Sequence, residues 1–570
     1  MTTSVQAIAD EYVTALAAGE PQAAQALGHP SPSVLPDFSP AWLEERHALQ
    51  GRTLEQLSAS SASGDDRVLH AALSERLRAE RDLFDTGFTM RMIAGLATPV
   101  HLVVGRLDGA TVGDDEAGDR VLRLLEEAPG AIDGYRHALD RARDLGSKGR
   151  FSGTGVAAAR QVRHLTDQVA GWIADGHLER VRHGVELSAA TSKRADSGIA
   201  AAGAALERLH RFLRDDLVTD ASVEDAVGPD VYPTMVASML GTSIDLDATY
   251  AYGWEELHRL VAEARTIATD LGGSGGDPVQ SVAQVLDNDP RYRLDGIDAI
   301  TDWLGQRVAD TTTALARDAF ALPSTITDVE CVVSQASRGV VFYMPAPPDG
   351  SAPGRIVWTI PSGVPVAATW REVTSLHHEG LPGHHLEHTV TRANPHLHPW
   401  QRYLSHVHGY AEGWAHYAEA LSDELGLIRE PAERLGMILG QIWRSVRVVA
   451  DIGLHTGRPI PATSLTSAGT WTPTVARDLL VDYALLEPQL AAFEVDRYLG
   501  VPGQALAFKV GAKLWTEARA QWRLARGDAF TLAGFHEEAL GLGPMGLGPL
   551  RDVLLAERNL SAPSWPRNGH

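Results

Sequence analysis

The chain predicts a mainly α-helical fold carrying one small antiparallel β-sheet, and three observations predict it. Most of its 570 residues repeat apolar side chains at three- and four-residue spacing. One stretch, 328–363, instead shows β-branched runs divided by Gly and Pro. The breaks elsewhere are short, as in helix-to-helix connections.

In chain order, "MTTSVQAIADEYVTALAAGE" reads as a polar amphipathic helix, without the basic start and apolar stretch of a signal peptide. Helical period then carries 69–88, 120–145, 155–176, 246–272 and 297–320. Residues 106–118, "RLDGATVGDDEAG", look like an acidic loop. "DVECVVSQASRGVVFYMPAPPDGSAPGRIVWTIPSG" (328–363) predicts two or three short antiparallel strands, and helices resume at 367. No boundary is Pro- or Ser-rich enough for a flexible linker. The helical segment 1–327 and the sheet-plus-helix segment 328–570 therefore read as one fused domain, 1–570.

Composition narrows the partners. Of the residues, 44% are hydrophobic and 22% charged, enough to bury a large core. A formal charge of −23, from 73 acids against 50 bases, argues against nucleic acid. Cys331 is the single cysteine, which excludes a disulfide framework and a thiolate cluster. No apolar run reaches the roughly 18 residues of a membrane span. A cytoplasmic protein without membrane contact is the expectation.

The chemistry concentrates in "LHHEGLPGHHLEH" (376–388), five histidines and two glutamates in thirteen residues. The lead-in is helical, with Trp370, Val373 and Leu376 on one side. His378-Glu379 begins as in the zinc-peptidase pattern His-Glu-x-x-His, where i and i+4 imidazoles share a helix face, but Pro382 takes the second histidine's place. On an unbroken helix His384 would lie about 240° around from His378, and His385 about 10 Å along the axis. Zinc–nitrogen bonds of about 2.0–2.1 Å allow neither. Pro382-Gly383 supplies a break: if two residues bulge out, His384 regains the i+4 relation, whereas His385 would need three. The geometry favours His384. A further ligand is sought in "LSHVHGYAEGWAHYAEALSDEL" (404–425), a helix with His408, Glu412, His416 and Glu419 on one face. Glu412 follows His384 closely enough for an antiparallel helix hairpin.

These motifs carry a resemblance. "HHEGLPGHHLEH" and then "GYAEGWAHYAEAL" are similar to the bacterial domain of unknown function 885 (DUF885) family, with its His-Glu-x-x-Pro-Gly-His and Glu-Gly-Trp-Ala-x-Tyr patterns. "VVADIGLHTGR" (448–458) and "EVDRYLGVPGQALAFKVG" (494–511) extend it over the C-terminal half. That family resembles glutamate-zinc metallopeptidases and Taq-type metallocarboxypeptidases, which implies a mostly helical, saddle-like body around a groove, with the small sheet beside the metal. It also implies His378, His384 and Glu412 as ligands of one Zn2+ per chain, with Glu379 as base. Where the family leads one to expect a tyrosine, this chain has Phe508.

Further candidates lie on the apolar helix 435–457, where Arg444, Arg447, Asp451 and His455 form one polar stripe. Arg444 is a candidate to hold a substrate carboxylate, Asp451 to orient a ligand histidine, and His455 to stabilise an oxyanion. An internal Arg447–Asp451 pair is the alternative for those two. Tyr498 and Tyr343 are candidate oxyanion donors. "GGSGGDP" (272–278) lacks the spacing and lysine of a phosphate loop. The expectation is a zinc-dependent hydrolase of peptide bonds acting on short peptides, with carboxypeptidase action as one form of it. The rivals are a non-catalytic helical binding protein and a metal-dependent hydrolase of another amide or ester.

Overall fold

The apolar spacings become helices in the computed structural model, which describes residues 4–556 apart from 65, 111–116, 186, 188, 319, 321, 337–339, 362, 364 and 365. The five internal stretches read as helical correspond to Asp66–Asp85, Ala117–Ser147, Ala159–Ala174, Leu246–Asp270 and Ile297–Asp318. The first helix, Val5–Gly19, starts where the Ser4 hydroxyl accepts the Ala7 N–H, and it turns Val5, Ile8, Tyr12 and Val13 inward. The reading of 106–118 as a loop is corrected at both ends: residues 106–110 finish the helix Pro99–Ala110, and 117–118 open the next. Leu107 and Ala110 continue the buried face of Val103, so burial overrides the acidic, glycine-containing composition. Residues 111–116 lie outside the described residues.

Three strands form the small sheet: β1 (Val329–Ala336), β2 (Val340–Met344) and β3 (Gly354–Pro361), in the order β1-β3-β2. β2 and β3 are antiparallel, with Tyr343 opposite Ile356. β1 lies parallel to β3, with Val333 opposite Trp358, because β3 enters between the two earlier strands. This leaves β2 at an edge. A separate antiparallel pair, Arg293–Asp295 with Val366–Ala368, leads into the helix that carries His378.

The site-bearing helices are numbered here from α1 (Leu246–Asp270) through α2 (Thr369–Glu379), α3 (His384–Ala393) and α4 (His408–Glu424) to α5 (Pro431–Thr456) and α6 (Gln504–Arg526). One apolar core gathers Val5, Tyr232, Ile356, Leu376, Trp414, Trp515 and Leu554. A second packs Trp254 of α1 and Trp370 of α2 with Ile442 and Val446 of α5. Helix α2 is thus anchored on both sides, and each fully buried large side chain contributes roughly 1.5–3 kcal/mol. Helices α4 and α6 approach closely because a methyl on Gly413 would lie 2.6 Å from the Gly511 backbone. Pro431 opens α5, and Gly457, at φ 69°, closes it in the left-handed region. No helix among the described residues is long and apolar enough to cross a membrane.

Candidate metal centre

The opening motif folds as two helices. α2 stops at Glu379, the chain turns through Gly380–Gly383 with a cis Leu381–Pro382 bond, and α3 begins at His384. The expected bulge in one continuing helix is corrected to a full stop and restart. Pro382 has no N–H to continue the ladder, and the His385 N–H reaches back five residues to the Gly380 carbonyl at 3.1 Å. The turn's carbonyls are satisfied from outside. Trp414 Nε1–H donates to Pro382 O at 3.0 Å, and the His377 ring to Leu381 O at 2.8 Å. Gly383 passes so near α2 that a Cβ there would lie 1.9 Å from the His378 carbonyl oxygen.

This break brings His378, His384 and Glu412 together, with one potential ligand atom from each within 4.8 Å of the others. His378 Nε2 stands 3.1 Å, and His384 Nε2 3.6 Å, from the same Glu412 oxygen. Two atoms bound tetrahedrally to one zinc stand about 3.3 Å apart, so the donor set and its spacing fit the ion. His378 is oriented from behind. Its Nδ1–H donates to Glu419 Oε1 at 2.8 Å, which aims the Nε2 lone pair at Glu412. Glu419 is held in turn by the Thr374 hydroxyl at 2.9 Å and the His416 ring at 3.1 Å. An Nε2 lone pair 3.1 Å from a carboxylate oxygen requires a cation between them or a proton on the ring.

The electrostatics say the same. Burial alone would depress the His378 pKa, but hydrogen bonds to Glu412 and Glu419 outweigh it and push it up to about 10. His384 is raised against burial by Glu412. Glu412, half-buried, and Glu419, buried, are held well below the usual carboxylate range by their histidine partners, against the effect of desolvation. Glu379 goes the other way: burial raises it, and its Oε1 lies 3.9 Å from His378 Nε2. Neighbouring carboxylates pushed apart in this manner suit different roles, Glu412 as permanent anion and Glu379 as proton carrier. Among the described residues no other trio of His, Cys, Asp or Glu converges as a metal site.

With this geometry in view, the comparisons are informative. A model of the family described as "bacterial protein of unknown function (DUF885)" matches residues 21–554. The chain belongs to the DUF885 family. No curated protein matches it. A candidate lipoprotein from Colwellia psychrerythraea shares the fold, with TM-score 0.77 at 18% identity over 97% of this chain and 99% of that one. A candidate lipoprotein of unknown function from Shewanella oneidensis aligns with TM-score 0.71 at 15% identity over 97% of this chain and 100% of that one.

Other predicted residues of this DUF885 chain fall elsewhere. The His455 ring is bonded within the fold: its Nδ1 accepts the Val227 N–H at 3.3 Å and its Nε2–H donates to Tyr498 O at 3.1 Å. The Tyr498 hydroxyl likewise donates to Glu494 at 2.9 Å and accepts from Arg447 at 3.2 Å and Trp443 at 3.3 Å. The Tyr343 hydroxyl is committed to His385 Nδ1 at 3.0 Å, while the other His385 nitrogen donates to Ile326 O at 2.8 Å. His385 is thus a strut between sheet and helix. Asp451 orients no ligand; it accepts from the Tyr232 hydroxyl at 2.9 Å and the Gly503 N–H at 3.0 Å. Arg447 pairs with Glu494 at 2.7 Å rather than with Asp451. Glu419, seen in sequence only as one member of a stripe, performs the orienting role foreseen for Asp451. Phe508 stacks on the His378 ring at 6.1 Å, so the site lacks a hydroxyl where the resembled family led one to expect it.

Proposed function

We propose that this protein is a zinc-dependent hydrolase of peptide bonds, with one ion held by His378, His384 and Glu412 and with Glu379 as the general base. The observation that carries this reading is the convergence of two imidazoles and a carboxylate with a second carboxylate, of raised pKa, beside them. The ion, when bound, would polarise a scissile carbonyl and lower the pKa of water to about 7. Glu379 would take a proton from that water and deliver it to the leaving amine. Burial favours this, since a carboxylate raised in pKa both accepts and returns a proton more readily near neutral pH. Glu419 would hold the His378 ring in one tautomer throughout.

The likeness of the motifs to glutamate-zinc metallopeptidases and Taq-type metallocarboxypeptidases supports the same roles. The Tyr343 backbone N–H, on edge strand β2, reaches the Glu379 carboxylate. An extended peptide laid along that edge would therefore pass the base. A cytoplasmic setting is proposed on composition alone. The test is elemental analysis of protein purified without a histidine tag, with peptide hydrolysis measured before chelation, after it, and after zinc is restored. A protein that takes up no stoichiometric zinc, or whose hydrolysis is indifferent to chelation, would sink the reading.

A further inference from the structure

On the far side of Glu419 from the candidate metal centre, helices α1, α4, α5 and α6 wall a cavity of about 440 Å3. Its floor carries His416, Gln441 and Lys509, each more than nine-tenths buried. His416 is 1% exposed, and its Nε2 has no hydrogen-bond partner among the described residues. The other ring nitrogen settles what Nε2 can do. Nδ1 lies 3.1 Å from Glu419 Oε1, on a carboxylate held ionised, so Nδ1 carries the proton and donates it. Burial pushes the pKa of the ring down to about 4, against the pull of Glu419, so no second proton is present at neutral pH. His416 Nε2 is therefore a bare lone pair. A buried acceptor in that state costs free energy unless a donor reaches it.

The neighbours define what that donor belongs to. Lys509 donates to Gln441 Oε1 at 3.0 Å and to Glu256 at 2.9 Å. This turns the Gln441 amide nitrogen toward His416, 3.4 Å from Nδ1, which already holds a proton. The Gln441 N–H groups are thus available as donors beside the His416 acceptor. A hydroxyl or a primary amide satisfies both at once, and a hydrocarbon satisfies neither. Charged heads are disfavoured, because the charges around the cavity are paired. At the mouth Arg259 bridges Glu256 and Glu263, Arg434 bridges Glu263 and Asp423, and Lys513 meets Glu517. Behind the floor, Arg447 is held by Glu494, and Arg444 is offset by Glu419 and Glu412. An ion entering would lose its hydration without finding an unmatched countercharge. Leu260, Met437, Ile438 and Ala512, apolar and buried, line the space and suit a hydrocarbon body.

We propose that this cavity is a second ligand site, which takes a small neutral alcohol or primary amide on an apolar body and signals its occupancy to the metal centre through His416 and Glu419. The connection is one shared atom. Glu419 Oε1 accepts from His416 Nδ1 at 3.1 Å and from His378 Nδ1 at 2.8 Å. A donor on His416 Nε2 draws electron density from that ring, strengthens its bond to Glu419 and leaves less of the shared oxygen for His378.

The test uses the full-length protein carrying isotope-labelled histidine, with the ring nitrogens read by NMR and His416 assigned from a His416→Phe variant. The probes share a benzene ring and differ in the head: benzamide and benzyl alcohol against toluene, benzoate and benzylamine. Benzamide and benzyl alcohol should shift the His416 Nε2 resonance and bind about ten-fold more tightly than the rest, the span of one hydrogen bond to a buried acceptor. The His378 ring should move in the same titration, with or without zinc. At saturating benzamide, zinc affinity should fall about two- to four-fold, and zinc should weaken benzamide by the same factor. Ala512→Leu fills the cavity from α6 and should abolish probe binding with zinc affinity kept, whereas His416→Phe should level the probes. No shift at His416, benzoate or benzylamine binding as well as benzamide, or binding that survives Ala512→Leu overturns the proposal. So does a His378 ring that ignores bound benzamide. If the variants do not fold, the ranking of probes and the two ring shifts in the unsubstituted protein still decide. None of these readouts requires turnover, so they stand apart from the hydrolase reading.

Discussion

Replacing Gly383 with alanine tests how the candidate metal site is made. The added methyl would fall 1.9 Å from the His378 carbonyl oxygen and 2.5 Å from that of His377, whereas ordinary contact begins near 3.4 Å. The opposing atoms are backbone, so no side chain can swing aside, and the two segments must separate by about 1.5 Å. Those segments carry the proposed ligands: His378 owns the carbonyl that is struck, and His384 is the residue after the new methyl. Zinc–nitrogen bonds of about 2.0–2.1 Å tolerate deviations of only about 0.2 Å, so a shift of this size removes one histidine from reach. Losing a mere outer-shell partner costs about 10- to 100-fold in affinity, and losing a ligand should cost more than about 100-fold. Overpacking should also destabilise the fold by about 1–3 kcal/mol. The assay is a zinc competition titration against a chromophoric chelator at equal folded fraction, checked by circular dichroism. Gly171→Ala, in the last turn of Ala159–Ala174 with nothing within 4 Å of the new methyl, is the control and should leave zinc binding unchanged. If Gly383→Ala binds zinc as tightly as the parent, the close pass is not what sets the ligand geometry, and the reasoning fails.

Other substitutions separate the roles. Glu379→Gln should keep zinc and lose about 100-fold or more in kcat with KM little changed; normal turnover in a zinc-loaded variant would remove Glu379 from the mechanism. Glu419→Gln weakens the grip on His378 Nδ1 and should lower zinc affinity about 10- to 100-fold, measured by the same titration, and an unchanged affinity would contradict the orienting role. Asp451 is raised by burial from 3.8 to about 7, so the folded state resists its ionisation. Stability should therefore fall as pH rises between those values, with the full penalty, on the order of 4 kcal/mol, present above them. Asp451→Asn keeps an acceptor for Tyr232 and Gly503 and should be more stable than the parent at pH 8 but not at pH 4. Denaturant midpoints that track together across this range would rule the burial penalty out.

The features legible in the sequence are those set by short-range periodicity. Trp370, Val373 and Leu376 recur at three-residue steps, and all three are buried on α2. The same counting shows that no unbroken helix can join His378 to His384, and the structure breaks the helix between them. What counting does not reach is the partner across space. β1 and β2 are readable as strands, yet nothing in their residues says that β3 will enter between them and leave β1 parallel.

The polar stripe of α5 shows where that limit bears on function. Spacing correctly puts Arg444, Arg447, Asp451 and His455 on one side of a helix, and a polar stripe on an apolar helix must meet something. Whether that something is substrate or protein depends on side chains far away in sequence. Arg447 finds Glu494, Asp451 finds Tyr232, and His455 finds Tyr498 and Val227. Three of the four positions thus tie α5 to its neighbours. The same bonds hold α5 in place, which fixes where Arg444 stands relative to Phe508 and the candidate ligand His378. The polar residues of α5 that bond within the fold therefore also position Arg444 beside the candidate metal centre.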